Sequence, residues 1–477
     1  MDNFAPGDTD NPKNWSNTFK WYCTLIVCLT CFTVSFTSTV ITPGIDDVAR
    51  EFQISKEVSL LTISLFIIGF GLGPIIFAPL SEVYGRRIIY ATTLFAAVLL
   101  LIPCALAPNF ATLLVCRALD GIAFSAPMTL VGGTLADLWN KNERGIPMAV
   151  FSASPLMGPA IGPLVGGYLS DALGWRWLYW IQLILSGLVV ILMTFTVPET
   201  YSPVILADRA KKRRQHSNHT IKHGMDPNPL SARLGRILTR PFQLLFTELI
   251  VFLLTVYISI LYGLLYMFFV AYPIVFRVGK GYTAGQTGLV FIPIAFGVLC
   301  SALCAPFVNK HYLYISAKHD HSPPEIRLIP MMLSCWFIPI GMFIFAWTSY
   351  PESSLAGPIV GGFLIGFAFI FLYNGANNYL VDSYQHQAAS ALAANTFLRS
   401  FWGAGCVLYT GQMYGALGNQ WASSLCCGTG SRGGNFPVYS CYPTISMLRT
   451  LLSLGVMDEG IPVLDIRAAD RGVTVAP

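Results

Sequence analysis

Residues 58–80 read VSLLTISLFIIGFGLGPIIFAPL, a run of apolar and small residues without one charged side chain. An α-helix rises about 1.5 Å per residue, so about 20 such residues cross the hydrocarbon core of a bilayer. The polar loop SEVYGRR follows at 81–87, and a second uncharged run, IIYATTLFAAVLLLIPCALA, covers 88–107. This stretch therefore predicts two transmembrane helices joined by a short loop.

The same pattern recurs along most of the chain. Two runs, 110–135 and 388–410, are interrupted only by Arg117 and Asp120 in the first and by Arg399 in the second. Segments of about ten residues with alternating polarity, which are typical of membrane β-barrels, are absent from the sequence. Further uncharged runs lie at 21–40, 146–169, 178–197, 249–272, 287–308, 328–348 and 355–380. We therefore predict an all-α polytopic membrane protein with eleven clear spans.

The composition supports a membrane protein and excludes several other classes. Of the 477 residues, 11% are charged and 54% are apolar, whereas soluble proteins carry about 25% charged residues. The formal net charge of +5 is too small to suggest nucleic-acid binding. Most of the 12 cysteines lie inside apolar runs, where cysteine behaves as a small hydrophobic residue. We predict neither a metal site nor a cofactor.

The spans fall into two groups separated by a long polar segment. We expect a cytosolic N-terminal tail at 1–20, a six-helix bundle at 21–197, a basic central loop at 198–244, and a second bundle with five clear spans at 245–417. Lys and Arg are concentrated in the tail, in the central loop and in the other loops on that side. Because loops rich in Lys and Arg stay in the cytosol, we predict that the N-terminus and the central loop are cytosolic.

The C-terminal segment 418–477 departs from this pattern. Residues 426–434 read CCGTGSRGG, a composition that breaks helices. No uncharged run of about 18 residues follows, since Arg449 interrupts the best candidate at 444–457. We expect an aberrant or irregular tail here, caused by a frameshift, a mis-spliced message or a genuine truncation. The second bundle would then lack a clear twelfth span.

Three short segments in the first half of the chain combine glycine, proline and charge. The loop at 78–87 reads APLSEVYGRR, the fourth span contains RALDG at 117–121, and the fifth contains GPAIGPLVGG at 158–167. Glycines in the third segment are spaced four apart, so they lie on one helix face that another helix can approach closely. The prolines of that segment bend the helix and free backbone carbonyls.

In this order, the three segments resemble the motifs of the major facilitator superfamily. Other stretches are similar to its fungal drug:proton antiporter branch of the twelve-span type, and the resemblance covers roughly residues 11–420. These stretches are NPKNW at 11–15, GGTLAD at 132–137, WRW at 175–177, VPETY at 197–201, NNYLVD at 377–382 and ANTFLRS at 394–400. The resemblance implies a major facilitator fold with two six-helix bundles.

The resemblance also implies roles for individual residues. A conformational-switch loop would contain Glu82, Gly85, Arg86 and Arg87, and it would place Glu82 near the start of the eleventh helix, around Gln387. The antiporter motif of the fifth span would comprise Gly158, Pro159, Gly162, Pro163, Gly166 and Gly167.

Arg117 and Asp120 are the candidates for proton coupling. A charge inside the membrane costs about 2.5–3.5 kcal/mol on insertion scales, so such residues normally face a cavity or a partner. The two residues are three apart and therefore share a helix face. Arg117 matches the family motif, whereas Asp120 stands where the family often has an uncharged residue, so its role is not inherited. A purely structural ion pair remains an alternative.

Polar residues in the second half of the chain are candidates for a substrate cavity. The charge of Arg399 in the eleventh span would be neutralised by backbone carbonyls or by a polar group across the bundle. A direct role of Arg399 in transport is the alternative. The tyrosines of the seventh span suit planar ligands, but they also suit aromatic packing between helices. The asparagines of the tenth span would line the cavity or tie helices together. These candidates are Tyr257, Tyr262, Tyr266, Asn374, Asn377 and Asn378.

The predicted function follows from the resemblance. We expect a monomeric multi-pass protein of the plasma membrane, in contact with lipid, that exports small organic molecules by proton antiport with alternating access. Drug- or toxin-like, amphipathic or cationic compounds, polyamines included, are the expected substrates. We predict no enzymatic activity, because only Asp120 lies well inside a predicted span. No GxxxxGK[ST] loop is present, so we do not expect transport driven directly by ATP. Proton-coupled uptake and a non-transporting nutrient sensor remain the alternatives.

Overall fold

The computed structural model describes residues 4, 8–140, 143–216, 230–316, 327–384 and 387–427. All regular elements in these ranges are helices. A helix lies in each of the eleven predicted spans, and we number these helices α1 to α11. They are α1 (Asn17–Thr39), α2 (Leu61–Tyr84), α3 (Arg86–Ala105), α4 (Phe110–Leu138), α5 (Gly145–Leu173), α6 (Arg176–Thr196), α7 (Leu249–Tyr272), α8 (Ile292–Ser316), α9 (Phe337–Thr348), α10 (Ala356–Ser383) and α11 (Ala388–Cys427). The ninth has 12 residues and covers only the second half of its span, because the short helix Ile329–Ser334 precedes it.

Shorter helices lie in the connections. Two of them, Ile45–Glu51 and Lys56–Ser59, separate α1 from α2, and two more, Ser202–His216 and Leu230–Thr247, lie between α6 and α7. Three further short elements are a π-helical turn at Pro273–Val278 and the helices Ala284–Leu289 and Ile329–Ser334. Turns of 3-10 helix cover Pro12–Asn14 and Thr42–Gly44.

Ten helical stretches within the described residues are long and apolar enough to cross a membrane, the last of them being Ala356–Ser383. They correspond to the first ten predicted spans. The eleventh, α11, is not among these ten, yet it packs inside the molecule against α2 and α7. Apolar side chains of α6 that face outward, such as Ile184, Leu188, Ile191 and Phe195, form an exposed apolar surface.

Local chemistry explains several helix boundaries. Ser16 and Asn109 cap α1 and α4, since their side-chain oxygens accept hydrogen bonds from the backbone N–H groups of Phe19 and Thr112. Gly85 separates α2 from α3 with a φ of 92°, a conformation that glycine adopts without strain. The chain can therefore turn back within one residue.

The helices form two bundles that meet along their length. In the first bundle α1 packs on α5, and α4 packs on α2 and α3; in the second, α7 packs on α11, and α10 packs on α8 and α9. Contacts of α2 with α11 and of α5 with α8 join the bundles. We call the end of the molecule at which α1 begins the near face, and the opposite end the far face.

The start of the C-terminal segment is more regular than predicted. We expected an irregular tail from residue 418, but α11 continues through a kink at Gly418 to Cys427. The indoles of Trp421 and Trp347 pack with their centroids 6.0 Å apart, and the hydroxyls of Tyr414 and Ser423 lie 2.7 Å apart. Residues 418–427 are therefore helical and packed. The remainder, 428–477, on which the prediction of a missing twelfth span rests, lies outside the described residues.

Candidate functional site

Arg117 and Asp120 lie fully buried on α4, with no solvent-exposed surface. Arg117 Nη1 and Asp120 Oδ2 are 3.2 Å apart, so the side chains form the ion pair that their spacing allows. Arg117 also donates to two backbone carbonyls of neighbouring helices, through Nη2 to Thr37 of α1 at 3.2 Å and through Nε to Thr62 of α2 at 3.4 Å. One side chain thus connects three helices of the first bundle.

Aromatic rings cover this ion pair. The guanidinium carbon of Arg117 lies 4.3 Å from the ring centroid of Phe66 and 5.7 Å from that of Tyr179. Such cation–π contacts offset part of the cost of burying the charge. Asp120 Oδ1 has no hydrogen-bond partner among the described residues. Only one of the two carboxylate oxygens of Asp120 therefore accepts a hydrogen bond, whereas Arg117 donates to three acceptors.

A cavity of about 700 Å³ lies between the two bundles, measured with the open space at its mouth. The first bundle lines it with residues of α1, α2, α4 and α5, and the second with residues of α7, α10 and α11. Its walls are mostly aromatic and aliphatic. The lining residues are Ser35, Ser38, Phe66, Ile67, Phe70, Met128, Pro155, Leu156, Pro159, Ile258, Leu261, Tyr262, Leu265, Tyr266, Phe369, Tyr373 and Arg399.

Arg399 is the charged residue of this lining, and it is 3% exposed. Its Nη1 donates to the hydroxyl of Tyr373 at 2.7 Å. Its guanidinium carbon lies 5.0 Å from the ring centroid of Tyr262 and 5.2 Å from that of Tyr373. No carboxylate forms an ion pair with it among the described residues. Tyrosines, rather than the backbone carbonyls we considered, surround this charge.

The three tyrosines of α7 separate into two groups. Tyr262 and Tyr266 line the cavity, and the hydroxyl of Tyr266 donates to Ser38 Oγ of the other bundle at 3.1 Å. Their rings pack with centroids 4.9 Å apart. Tyr257 is buried elsewhere in the second bundle and is not among the lining residues.

The asparagines of α10 are not among the residues that line the cavity. Asn377 Oδ1 accepts a hydrogen bond from Asn395 Nδ2 at 2.9 Å, which ties α10 to α11. Asn374 and Asn378 are half-buried and are not among the lining residues. Of the two roles we considered for these residues, the geometry gives Asn377 the helix tie.

The glycines of the α5 motif lie against α1. A Cβ atom at Gly158 would come within 2.6 Å of the Phe36 backbone nitrogen, and one at Gly166 within 2.3 Å of the Val40 carbonyl oxygen. Gly162 meets Thr39 in the same way. Pro159 of the same motif lines the cavity. The motif therefore allows α1 and α5 to pack closely beside the cavity.

Other residues of this motif face the second bundle. A Cβ atom at Gly167 would lie 2.4 Å from the Ala284 carbonyl oxygen, and Gly288 is equally close to the Pro163 carbonyl oxygen, at 2.5 Å. Asp171, one turn further along α5, accepts a hydrogen bond from the backbone N–H of Gly285 at 2.8 Å. The carboxylate thus lies at the N-terminus of the helix Ala284–Leu289 and connects the bundles at the far face.

A second connection at the far face is made by ion pairs. Asp46 Oδ2 lies 3.3 Å from Arg277 Nη1 of the second bundle, and Asp46 Oδ1 lies 2.9 Å from Lys56 Nζ. Arg277 Nη1 also donates to the Pro43 carbonyl at 3.4 Å. Sequence reasoning did not single out these residues or Asp171, because only the folded chain brings them together.

Two carboxylates hold the loop at 81–87 on the near face. The sequence analysis predicted no role for either of them. Arg86 Nε lies 2.6 Å from Asp137 Oδ2, while Glu199 accepts hydrogen bonds from the backbone N–H groups of Arg86 and Arg87 at 3.0 Å each. Asp137 belongs to the GGTLAD stretch and Glu199 to the VPETY stretch. Glu82 is exposed and has no hydrogen bond or ion pair with another described residue, so its placement near the start of α11 stays a prediction.

Within the described residues, no group of three or more His, Cys, Asp or Glu side chains is close enough to hold a metal ion. The cavity and the buried pair contain charged groups, hydroxyls and aromatic rings.

Comparison with known proteins gives one family-model match and several similar transporters. A family model described as the Major Facilitator Superfamily matches residues 27–405. The MFS-type transporter paaT of Penicillium rubens is 61% identical over 429 residues, which cover 89% of this chain and 78% of the relative. The efflux pump FUBT of Fusarium oxysporum is 42% identical over 433 residues, which cover 89% of this chain and 72% of the pump.

Two further matches extend this comparison. The major facilitator superfamily multidrug transporter mdrA of Aspergillus fumigatus is 41% identical over 423 residues, which cover 88% of this chain and 70% of the transporter. The crystal structure of the human organic anion transporter MFSD10 (TETRAN) matches with a TM-score of 0.57 at 16% identity, covering 90% of this chain and 99% of that one. It shares the fold.

Proposed function

This chain belongs to the major facilitator superfamily and is a multi-pass membrane transporter rather than an enzyme, and from that premise we propose that it exports small organic molecules in exchange for protons. The cavity between the bundles carries the proposal, because seven helices from both halves build its walls. A site shared by two bundles opens to either side when the bundles rock against each other. The name efflux pump, borne by relatives such as FUBT, supports outward transport.

Contacts at the far face would alternate with the transport cycle. The hydrogen bond from Gly285 N–H to Asp171 and the ion pair between Asp46 and Arg277 both join the two bundles there. These contacts must break for the cavity to open toward the far face. Opening toward the near face leaves them intact. The far-face contacts thus supply part of the free-energy difference between the two states.

Proton coupling is proposed to use the buried pair on α4. Protonation of Asp120 removes the negative partner of Arg117, which then relies on its carbonyl contacts to α1 and α2. The ring of Phe66 both covers the Arg117 guanidinium and lines the cavity. A shift of Arg117 therefore reaches the cavity wall through one aromatic side chain. In this way a proton on Asp120 and a substrate in the cavity would favour different arrangements of the same helices.

We further propose that the near face is cytosolic, in a plasma membrane, and that the protein acts as a monomer in contact with lipid. The concentration of Lys and Arg in the near-face loops supports this orientation. Export then moves substrate from the near face to the far face, while the proton moves the opposite way.

The experiment uses the full chain, expressed in a yeast strain from which the native efflux pumps have been deleted. Growth is measured against a panel of acidic, neutral and basic toxic compounds, and efflux of each compound to which the chain confers resistance is measured with and without a protonophore. We expect resistance to at least one compound and loss of its efflux when the proton gradient collapses. Sensitisation across the panel, or efflux that persists without a gradient, would overturn the proposal.

A further inference from the structure

We propose that the cavity selects the anionic form of aromatic acids and that Arg399 binds the carboxylate. The inference rests on the transport function proposed above and names its substrate class. It also replaces the cationic and polyamine substrates expected from sequence.

The charges in the cavity wall favour an anion. Arg399 is charged at any physiological pH, because a guanidinium does not lose its proton in proteins. The lining residues include neither Asp nor Glu. The other buried charges of the spanning helices near the cavity, Arg117 and Asp120, neutralise each other. The electrostatic field in the cavity is therefore positive, and a cationic ligand would be placed beside a like charge.

Arg399 is only partly satisfied by the protein. Burying a charge is costly unless it is paired and hydrogen-bonded. Among the described residues, this side chain forms a hydrogen bond to the Tyr373 hydroxyl and contacts the faces of two tyrosine rings. Its Nε has no hydrogen-bond partner among the described residues. A guanidinium in this condition can form the charge-assisted, bidentate hydrogen bonds that a carboxylate accepts.

The rest of the cavity suits an aromatic ring. Phe66, Phe70, Phe369 and Tyr266 offer ring surfaces within the same lining as Arg399. Aromatic rings pack favourably against one another in offset or edge-to-face arrangements. Ligand pockets of this kind combine apolar walls with a small number of polar groups that fix the orientation of the ligand. Here the one charged group would hold the carboxylate while the walls hold the ring.

The test measures binding of three probes of the same shape to the purified full chain in lipid nanodiscs. The probes are 2-naphthoate, 2-naphthylmethanol and 2-naphthylmethylamine, which at about pH 7 are an anion, a neutral molecule and a cation. Isothermal titration gives their dissociation constants. We expect 2-naphthoate to bind about tenfold tighter than either of the others, in the range that one charge-assisted contact provides.

Variants then assign this preference to one residue. Arg399→Gln should lose the preference for the anion. Arg50→Gln serves as the matched control, because it removes an arginine that is largely exposed at the far face and paired with Asp47. This control should leave all three dissociation constants unchanged.

The inference is overturned if the amine binds as tightly as the acid, if Arg399→Gln keeps the preference, or if the wild-type chain binds none of the probes. Should Arg399→Gln fail to fold, the order of the three wild-type constants decides alone. A chain that shows no anion preference but still exports compounds under a proton gradient would contradict this inference and leave the transport function standing.

Discussion

At the scale of single residues, two arginines are buried in the spanning helices of the described part of the chain, and their surroundings differ. Arg117 is neutralised by Asp120, three residues away on the same helix. Arg399 has no such partner among the described residues and relies on tyrosines of α7 and α10. A local pair can be predicted from spacing alone, as it was for Arg117. The surroundings of Arg399 come from distant parts of the chain, so the sequence offered alternatives without deciding between them.

Asp120→Asn should abolish proton-driven export while leaving the protein in the membrane. Asparagine has almost the same shape and can still accept from Arg117, but it cannot bind or release a proton. We expect export to fall by about tenfold or more and to lose its dependence on the proton gradient, since the variant is locked in one protonation state. Efflux from cells at several external pH values measures this.

The control is Asp208→Asn, which changes an exposed carboxylate outside the spanning helices. Wild-type efflux and pH dependence in Asp120→Asn would contradict the coupling role.

Gly166→Ala should destabilise the protein, whereas Gly187→Ala should not. A Cβ at Gly166 would lie 2.3 Å from the Val40 carbonyl oxygen, so α1 and α5 must separate, while a Cβ at Gly187 on α6 meets nothing within 4 Å. Overpacking of this kind costs about 1–3 kcal/mol. Thermal unfolding can be followed with a thiol-reactive dye, because Cys23, Cys28 and Cys31 are buried until the chain unfolds. Equal unfolding temperatures for the two variants would contradict the close-packing role of the motif.

At the scale of elements, uncharged runs predicted a helix in each of the eleven spans, because a chain that crosses a bilayer must satisfy its backbone hydrogen bonds internally. The same physics says little about the connections, where polar and apolar residues are mixed. The short helix Ala284–Leu289 is an example, since it begins with a capping box between Thr283 and Gln286 and then packs on α5. Its contact with Asp171 could not be predicted, because nothing in the sequence pairs these positions.

Asp171→Ala should weaken the closure of the far face. Asp171 is exposed, and a surface carboxylate at a helix N-terminus contributes about 0.3–1 kcal/mol, which changes an equilibrium by about 2- to 5-fold. We expect a larger population of molecules open at the far face. Distances between spin labels attached at positions 173 and 278, both exposed in the structure, can measure this population.

The matched control for that experiment is Glu57→Ala, an exposed carboxylate on the same face. Its distance distribution should match that of the wild-type protein. An unchanged distribution in Asp171→Ala would show that the contact with Gly285 does not contribute to closure.

At the scale of the whole molecule, the resemblance and the charge pattern together predicted two bundles joined by a basic loop. The family model covers 27–405, within the region where the resemblance was recognised. The prediction was least accurate at its C-terminal edge, where α11 continues past Gly418. The expectation of an irregular tail rested on the helix-breaking composition of residues 426–434. Packing of Trp421 against Trp347 instead stabilises a helix beyond the kink.

The uncompensated charge of Arg399 has a consequence for the membrane voltage. If the cavity carries an anion outward for each proton that enters, every cycle moves two positive charges inward, whereas a neutral substrate would give one and a cation none. Each charge gains about 2.3 kcal/mol per 100 mV of inside-negative potential. Proteoliposomes adsorbed to a capacitive electrode should therefore give a transient current on addition of 2-naphthoate, larger than the current with 2-naphthylmethanol and absent with the Arg399→Gln chain. A current of equal size for both probes would mean that the anion is not the species carried, and the voltage across the membrane would then drive only the proton.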